Sequence, residues 1–182
     1  MTWPFLYFAG DRMSHAELMS ARLDGHLVEV GEAFMPADAV ETRELRAGSL
    51  RGILGTRLAA THESAAWVHG VLGEPPSTHH VQRCVNRRIP EPLDVRIRYR
   101  DVRLPERDCL VVAGVTVSTP TRTFIDLLRD RVRTGDDGVL SAFLRWRPQI
   151  AEEAIVWFDG AGPVHLRRPA LDYLRALAIT TR

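Results

Sequence analysis

Lysine is absent: all 24 cationic side chains of the 182-residue chain are arginines. A guanidinium stays protonated and cannot stand in for an amine on a flexible stem. Schiff-base chemistry, the phosphate-binding lysine of a P-loop and the lysine of restriction-type nuclease sites are therefore excluded. Cysteine is nearly absent too. Cys84 and Cys109 show no Cys-x-x-Cys spacing, so neither a disulfide framework nor a structural zinc site is supported, and two free buried thiols are expected. No apolar run reaches the roughly 18 residues needed to span a bilayer. The start, Met1-Thr2-Trp3-Pro4-Phe5, lacks the basic region and cleavage site of a signal peptide, and a cytoplasmic location is expected. Gly-x-Ser-x-Gly and a glycine-rich phosphate loop are missing as well. Catalysis would need a site assembled from distant residues such as His79, His80 and Asp126, and no enzyme activity is expected.

With 45% hydrophobic residues, the chain can bury one good core with a small appended module. Its net charge of +1 hides an uneven distribution. Before position 51, Arg12, Arg22, Arg43 and Arg46 face twice as many carboxylates: Asp11, Glu17, Asp24, Glu29, Glu32, Asp38, Glu41 and Glu44. Between Arg83 and Arg107 the ratio is inverted, with Arg83, Arg87, Arg88, Arg96, Arg98, Arg100, Arg103 and Arg107 against Glu91, Asp94, Asp101 and Glu106. A polyanion is drawn to the second region and not to the first.

Local signals divide the chain. Ser14-His15-Ala16-Glu17 is a capping box opening a helix of about three turns that Gly25 stops. Leu27–Met35 contains two short apolar runs joined by Gly31-Glu32, which suits a two-residue hairpin turn ended by Pro36. Glu41–Leu58 reads as a helix interrupted near Gly48-Ser49, and a second helix begins at Thr61 or His62 and stops at Gly70. His62 and His69 are seven apart rather than the four of a zincin helix, so no metal site is expected.

After the turn-rich Glu74-Pro75-Pro76-Ser77, His79–Val85 suggests a strand. In Val95–Arg100 strict alternation places Val95, Ile97 and Tyr99 on one face and Arg96, Arg98 and Arg100 on the other. Successive guanidinium groups would then stand about 6.5 to 7 Å apart, near the phosphate spacing of a nucleic-acid strand. Either this row contacts phosphates, or it is a solvated face whose arginines pair with Glu91, Asp94 or Asp101. Leu110–Val117 reads as a hairpin turning near Ala113-Gly114, followed by a helix with Thr119 as N-cap and Pro120 at its first position. Arg122 and Asp126, four apart, form a helix-surface pair worth a few tenths of a kcal/mol. Thr134–Gly138 breaks the chain, and three helical segments follow, expected to pack on the sheet, the last opened by Pro169. Trp146 and Trp157 read as core or interface aromatics.

Two stretches, Thr61-His62-Glu63-Ser64-Ala65-Ala66-Trp67-Val68-His69-Gly70 and Val115–Leu128 with its Thr119-Pro120-x-Arg122-Thr123 pattern, resemble the C-terminal domain of AbiEi-type antitoxins of type IV toxin–antitoxin pairs. The resemblance runs from Ser14 to about Arg131. The early helix and hairpin are similar to that family's recognition helix and wing, shortened because thirteen residues precede Ser14. The fold class implied is α+β: a shortened winged-helix-like module over residues 1–39, then an AbiEi-like domain over 40–182 with an antiparallel-type sheet and a helical C-terminus. The function implied is a transcriptional regulator and antitoxin that binds DNA at its own operator and opposes a nucleotidyltransferase toxin without a tight complex. The candidate contact residues are Arg83, Arg87, Arg88, Arg96, Arg98 and Arg100, with Arg22 and His15 on the early helix. No catalytic residue, metal, cofactor or membrane partner is implied, and the oligomeric state stays open. The alternative is a protein- or RNA-binding module that has lost DNA reading, and a third reading is a nucleic-acid-processing enzyme.

Overall fold

A computed structural model of the chain describes residues 5–90, 94–135 and 138–180. Helix α1 (His15–Leu23) starts as its sequence dictates, with the Ser14 hydroxyl accepting from the Glu17 amide and the Glu17 carboxylate accepting from the Ser14 amide at 2.7 Å. It ends in a left-handed Gly25, where the His26 amide reaches the Ala21 carbonyl and the Gly25 amide that of Arg22. Strands β1 (Leu27–Val30) and β2 (Ala33–Pro36) form the expected hairpin, Val30 opposite Ala33, around a Gly31 at φ +52°. Leu18, Leu27 and Phe34 close a small apolar cluster between this helix and hairpin.

The Glu41–Leu58 region is interrupted after Ser49, close to the break expected near Gly48-Ser49, but its end is not helical. It splits into α2 (Arg43–Ser49) and α3 (Arg51–Leu54), and after a positive-φ Gly55 the chain becomes β3 (Leu58–Ala60), a fully buried strand. A strand of Leu-Ala-Ala lacks period-two alternation because both of its faces are covered, so its sequence does not distinguish it from helix. Helix α4 (His62–Val68) follows at once. Arg46 of α2 closes its far end, donating to the carbonyls of Trp67 at 2.7 Å and Leu72 at 2.8 Å.

Strands β4 (His79–Arg83), β5 (Ile97–Arg103), β6 (Cys109–Val112) and β7 (Val115–Ser118) join β3 in a sheet of order β5-β4-β3-β7-β6. The α+β class holds, and the sheet is mixed: β3 runs antiparallel to β4 and parallel to β7, β4 parallel to β5, and β6 antiparallel to β7. The β6–β7 turn falls at Ala113-Gly114, both at positive φ. Thr119 caps α5 (Pro120–Thr134), its hydroxyl accepting from the Arg122 amide, and a left-handed Gly135 stops it. The expected break at Asp136-Asp137 lies outside the described residues.

Helices α6 (Gly138–Trp146), α7 (Ile150–Gly160) and α8 (Arg167–Thr180) do not cover the sheet as expected. They pack on α5 and build a second core around Phe124, Leu128, Phe143, Ile150, Phe158 and Leu174. The reason lies in α5, which has enough apolar surface to be shared between α4 on one side and the tail on the other. The first core holds the sheet, α2, α4 and the hairpin residues Val30, Ala33 and Met35, so the N-terminal module shares its interior with the larger domain. Cys84 and Cys109 are free but only partly buried, a correction to the buried thiols expected. No described helix is long and apolar enough to cross a membrane.

The hairpin tip is pressed inward. A Cβ on Gly31 would collide with the Ser49 hydroxyl and come within 2.8 Å of the Trp67 ring, at a φ that L-residues avoid. Gly31→Ala therefore combines backbone strain with overpacking and is expected to cost about 2–4 kcal/mol. Urea unfolding measures it, and a loss below about 0.5 kcal/mol would show that the tip is free to lift.

Candidate nucleic-acid interface

The arginine row begins one residue before its strand. Asp94 forms a local turn in which its Oδ1 accepts from the Arg96 amide at 2.9 Å, and Val95, expected on the core face, is 96% exposed at the bend. From Ile97 onward the alternation works as predicted: Ile97 and Tyr99 pack on the first core while Arg98 and Arg100 project to the opposite face. The register then shifts opposite Gln82/Arg83, so Gln82 faces Arg100 and Arg83 faces Arg103. The bulge ends the alternation.

The three arginines are not equivalent, which corrects the expectation of an unneutralised ridge. Arg96 is clamped by Asp94, with Nη2 to Oδ2 at 2.6 Å and Nε to Oδ1 at 3.0 Å, and also donates to Glu32 at the hairpin tip. Its protonated form is reinforced, chiefly by the Asp94 hydrogen bond, and the same contact holds the Asp94 carboxyl down at about 2. Arg100 donates to both Asp130 oxygens at 2.9 and 3.0 Å and to His62 Nε2 at 2.9 Å. Arg98 is exposed and makes no hydrogen bond or ion pair with the described residues. Glu91, the other expected partner, lies outside the described residues.

The remaining candidates divide the same way. Arg83 turns inward, donating to Asp101 at 2.9 Å and to the carbonyls of Val85 and Asn86. Arg88 is mostly exposed, 3.5 Å from Asp101, and Arg87 is exposed with no partner among the described residues. On α1, Arg22 lies 3.5 Å from Glu29 of the hairpin, and the exposed His15 ring meets Phe34 edge-on. Of these candidates, Arg87 and Arg98 have no partner among the described residues, and Arg88, 85% exposed, is held only by the 3.5 Å approach of Asp101, all three along the β4–β5 margin.

Residues that the sequence kept apart meet behind this margin. A concavity of about 390 Å³ is lined by Arg98 and Arg100 of β5, by Arg129, Asp130 and Arg133 of α5, and by His165 and Leu166 ahead of α8. Arg129 and Arg133 were not among the sequence candidates. Their four-residue spacing marks one helix face, but nothing in the sequence places that face beside β5. Arg129 is positioned by donating from Nε to the His165 carbonyl at 3.0 Å and from Nη1 to Asp126 at 3.3 Å.

Beneath lies a buried polar layer. His62 is fully buried and sits at φ +51° at the start of α4. Burial is the main cause that lowers its pKa to about 4, only partly offset by Asp126. It is therefore neutral at physiological pH, with Nε2 accepting from Arg100 and Nδ1 donating to Thr61 Oγ1 at 3.0 Å. Its neighbour Glu63 approaches His80 Nδ1 to 2.5 Å; burial works to raise the Glu63 pKa, but His80 outweighs it and holds the carboxyl at about 2. His69, the C-cap of α4, donates from Nε2 to the Ser118 carbonyl at 2.8 Å, so the histidines at the two ends of this helix serve different partners. The residues considered for an assembled active site do not converge. His79 faces Glu32 and His80 faces Glu63, while Asp126 is taken up by Arg122.

Arg122 and Asp126 form the hub of a buried network rather than a surface pair. Arg122 donates from Nε to Asp126 at 2.9 Å and from Nη1 to Asp108 at 2.7 Å, and Trp157 Nε1 donates to the other Asp108 oxygen at 2.8 Å. Asp108 and Asp126 are each 2% exposed. Burial alone works against the Arg122 charge, and the two carboxylates outweigh it, leaving the pKa raised.

Comparison with known proteins identifies the domain that carries this surface. A family model described as the AbiEi antitoxin C-terminal domain matches residues 58–167, more than half of the chain, from the first residue of β3 to the first of α8. The chain belongs to the AbiEi antitoxin family, and its role is that of an antitoxin-type regulator in a toxin–antitoxin system. Among solved structures, it is similar to one titled as the crystal structure of the RV2827C protein from Mycobacterium tuberculosis, with 18% identity over 89% of this chain and 70% of that chain and a TM-score of 0.34. No curated protein matches the chain.

Two outcomes follow from the buried charges. Arg122→Ala strands two buried carboxylates and is expected to cost about 3–5 kcal/mol in urea unfolding; a loss under about 1 kcal/mol would mean that water replaces the guanidinium. His62 and His69, both lowered to about 4 by burial, bind protons in the unfolded chain before they do so in the folded one. Their contribution is complete above pH about 6.5 and is lost as pH falls from there towards 4, at up to about 1.4 kcal/mol per unit for each. His69→Gln keeps a donor for Ser118 and should make that decline shallower; an unchanged slope would assign it to other groups.

Proposed function

We propose that the chain is a DNA-binding antitoxin that represses its own operon and opposes a nucleotidyltransferase toxin without forming a tight complex with it. The observation that carries this reading is the AbiEi domain over residues 58–167. The DNA contact is assigned to Arg87, Arg88 and Arg98, because phosphate contacts need exposed guanidinium groups not tightly committed to carboxylates: Arg87 and Arg98 have no described partner, and the largely exposed Arg88 only a 3.5 Å approach to Asp101. In this proposal residues 1–39 are retained as a winged-helix-like module, with helix α1 in the role of a recognition helix and the hairpin in that of a wing. Their chemistry favours a supporting role. The Glu32 carboxylate at the hairpin tip is engaged by Arg96, and α1 offers Arg22 and His15 against Glu17.

A second reading follows from that same inward-turned tip: the chain contacts RNA or protein through the β5 margin and does not read DNA. Titration of the protein with its own upstream DNA at 50 and 200 mM salt separates the two, since such contacts release counterions and weaken steeply with salt. Arg98→Ala is expected to weaken binding and reduce the salt slope by about one, whereas Arg96→Ala leaves the slope unchanged because Asp94 and Glu32 already neutralise that cation. Absence of affinity above background at low salt would end the DNA reading, and equal slope changes for both variants would end the assignment of the contact to Arg98.

A further inference from the structure

We infer that the concavity between β5 and α5 is a binding pocket for a terminal phosphate group, carried either by a free nucleotide or by the phosphorylated end of a nucleic-acid strand. Four guanidinium groups, those of Arg98, Arg100, Arg129 and Arg133, line it with a single lining carboxylate, Asp130, which pairs with Arg100 and Arg133, while Arg129 pairs with the buried Asp126. With Arg122, which shares Asp126 and Asp108, these cations face Asp108, Asp126 and Asp130, an excess of about two positive charges beside a space of about 390 Å³, within the range of small-ligand pockets. A terminal phosphate or phosphate chain brings two or more charges and enters end-on. An internal phosphodiester brings one and carries a sugar on each side, which suits an open ridge better than a concavity.

The donors are held in place before any ligand arrives. Arg100 is fixed by Asp130 and His62, Arg129 by the His165 carbonyl and Asp126, and Arg133 by Asp130 at 3.3 Å. Each guanidinium has five N–H groups, so these anchors leave donors over. Arg98 has no described partner and can swing onto the ligand. Preorganised donors that keep spare hydrogens mark recognition of planar or tetrahedral oxyanions. Backbone strain collects at the same place. Leu166 on the pocket wall has φ +62° and His62 behind Arg100 has φ +51°, two of the three described non-glycine residues at positive φ. Strain of this kind persists where surrounding contacts over-determine the backbone, and it clusters at ligand-holding sites.

This site shares Arg98 with the duplex contact proposed above but is told apart by its ligand, a strand end or a free nucleotide rather than internal phosphates. Calorimetric titration of the full chain with pyrophosphate and with a nucleoside triphosphate tests the first source. Fluorescence anisotropy with one single-stranded oligonucleotide, carrying either a 5′-phosphate or a 5′-hydroxyl, tests the second. Arg98→Ala is the diagnostic variant because it removes an exposed side chain without a partner among the described residues and leaves the fold intact; Arg175→Ala on α8 is the control. Saturable pyrophosphate and nucleotide binding, weakened at least tenfold by Arg98→Ala, supports the free-nucleotide form. A tenfold or greater preference for the 5′-phosphorylated strand that Arg98→Ala erases supports the strand-end form. No binding of either small anion together with equal affinity for the two oligonucleotides overturns the pocket, even if duplex DNA binds. So do preferences that Arg98→Ala leaves unchanged.

Discussion

The Asp108–Arg122–Asp126 network is the interaction on which the rest of the architecture depends. Asp108 lies in a short turn between β5 and β6, Arg122 and Asp126 lie on α5, and the Trp157 indole reaches in from α7. One guanidinium therefore ties the sheet to the helix that carries the tail. Charges this deeply buried are tolerated only when their hydrogen-bonding groups are satisfied, which fixes the pitch and rotation of α5 relative to β6 and β7. The local cap at Ser118-Thr119 reinforces the same placement, with Thr123 Oγ1 donating to the Thr119 carbonyl and the Thr119 amide donating to that of Asp108.

Fixing α5 has a consequence at its other end. Asp126 passes the constraint to Arg129, and one turn further on Asp130 collects Arg100, with His62 beneath. Arginines of strand and helix are thereby brought together with too few carboxylates to neutralise them. Like charges crowded at a fold's expense are stable only because solvent and a few pinned acids screen them. An arriving anion completes the arrangement.

The acidic N-terminal part and the basic middle part, opposite in balance along the chain, meet in space. Glu32 at the hairpin tip lies between Arg96 and His79, so the module's acidity cancels one end of the arginine row. Asp130 takes up Arg100 at the other end, and Arg98 is left as the accessible cation of the row. The polarity of the interface is thus set by which carboxylates the fold delivers to which arginines, and the count of each is a poor guide to it.

Features settled by neighbours within a few residues were legible in the sequence. The Ser14–Glu17 box, the Gly31-Glu32 and Ala113-Gly114 turns and the Thr119-Pro120 helix start each close through hydrogen bonds or dihedral preferences of adjacent residues, so the chain specifies them without reference to anything distant. The alternation of Ile97 to Arg100 was legible for the same reason. Only tertiary structure decided that Leu58–Ala60 is a central strand, that β4 and β5 run parallel, and that the tail packs on α5. It also decided the fate of each cation: Arg122 buried, Arg96 and Arg100 committed, Arg98 free of described partners. The partner of Arg96 on the hairpin lies 64 residues away and that of Arg100 on α5 lies 30 away. Pairings over such separations depend on how layers stack, and no local rule of spacing encodes them.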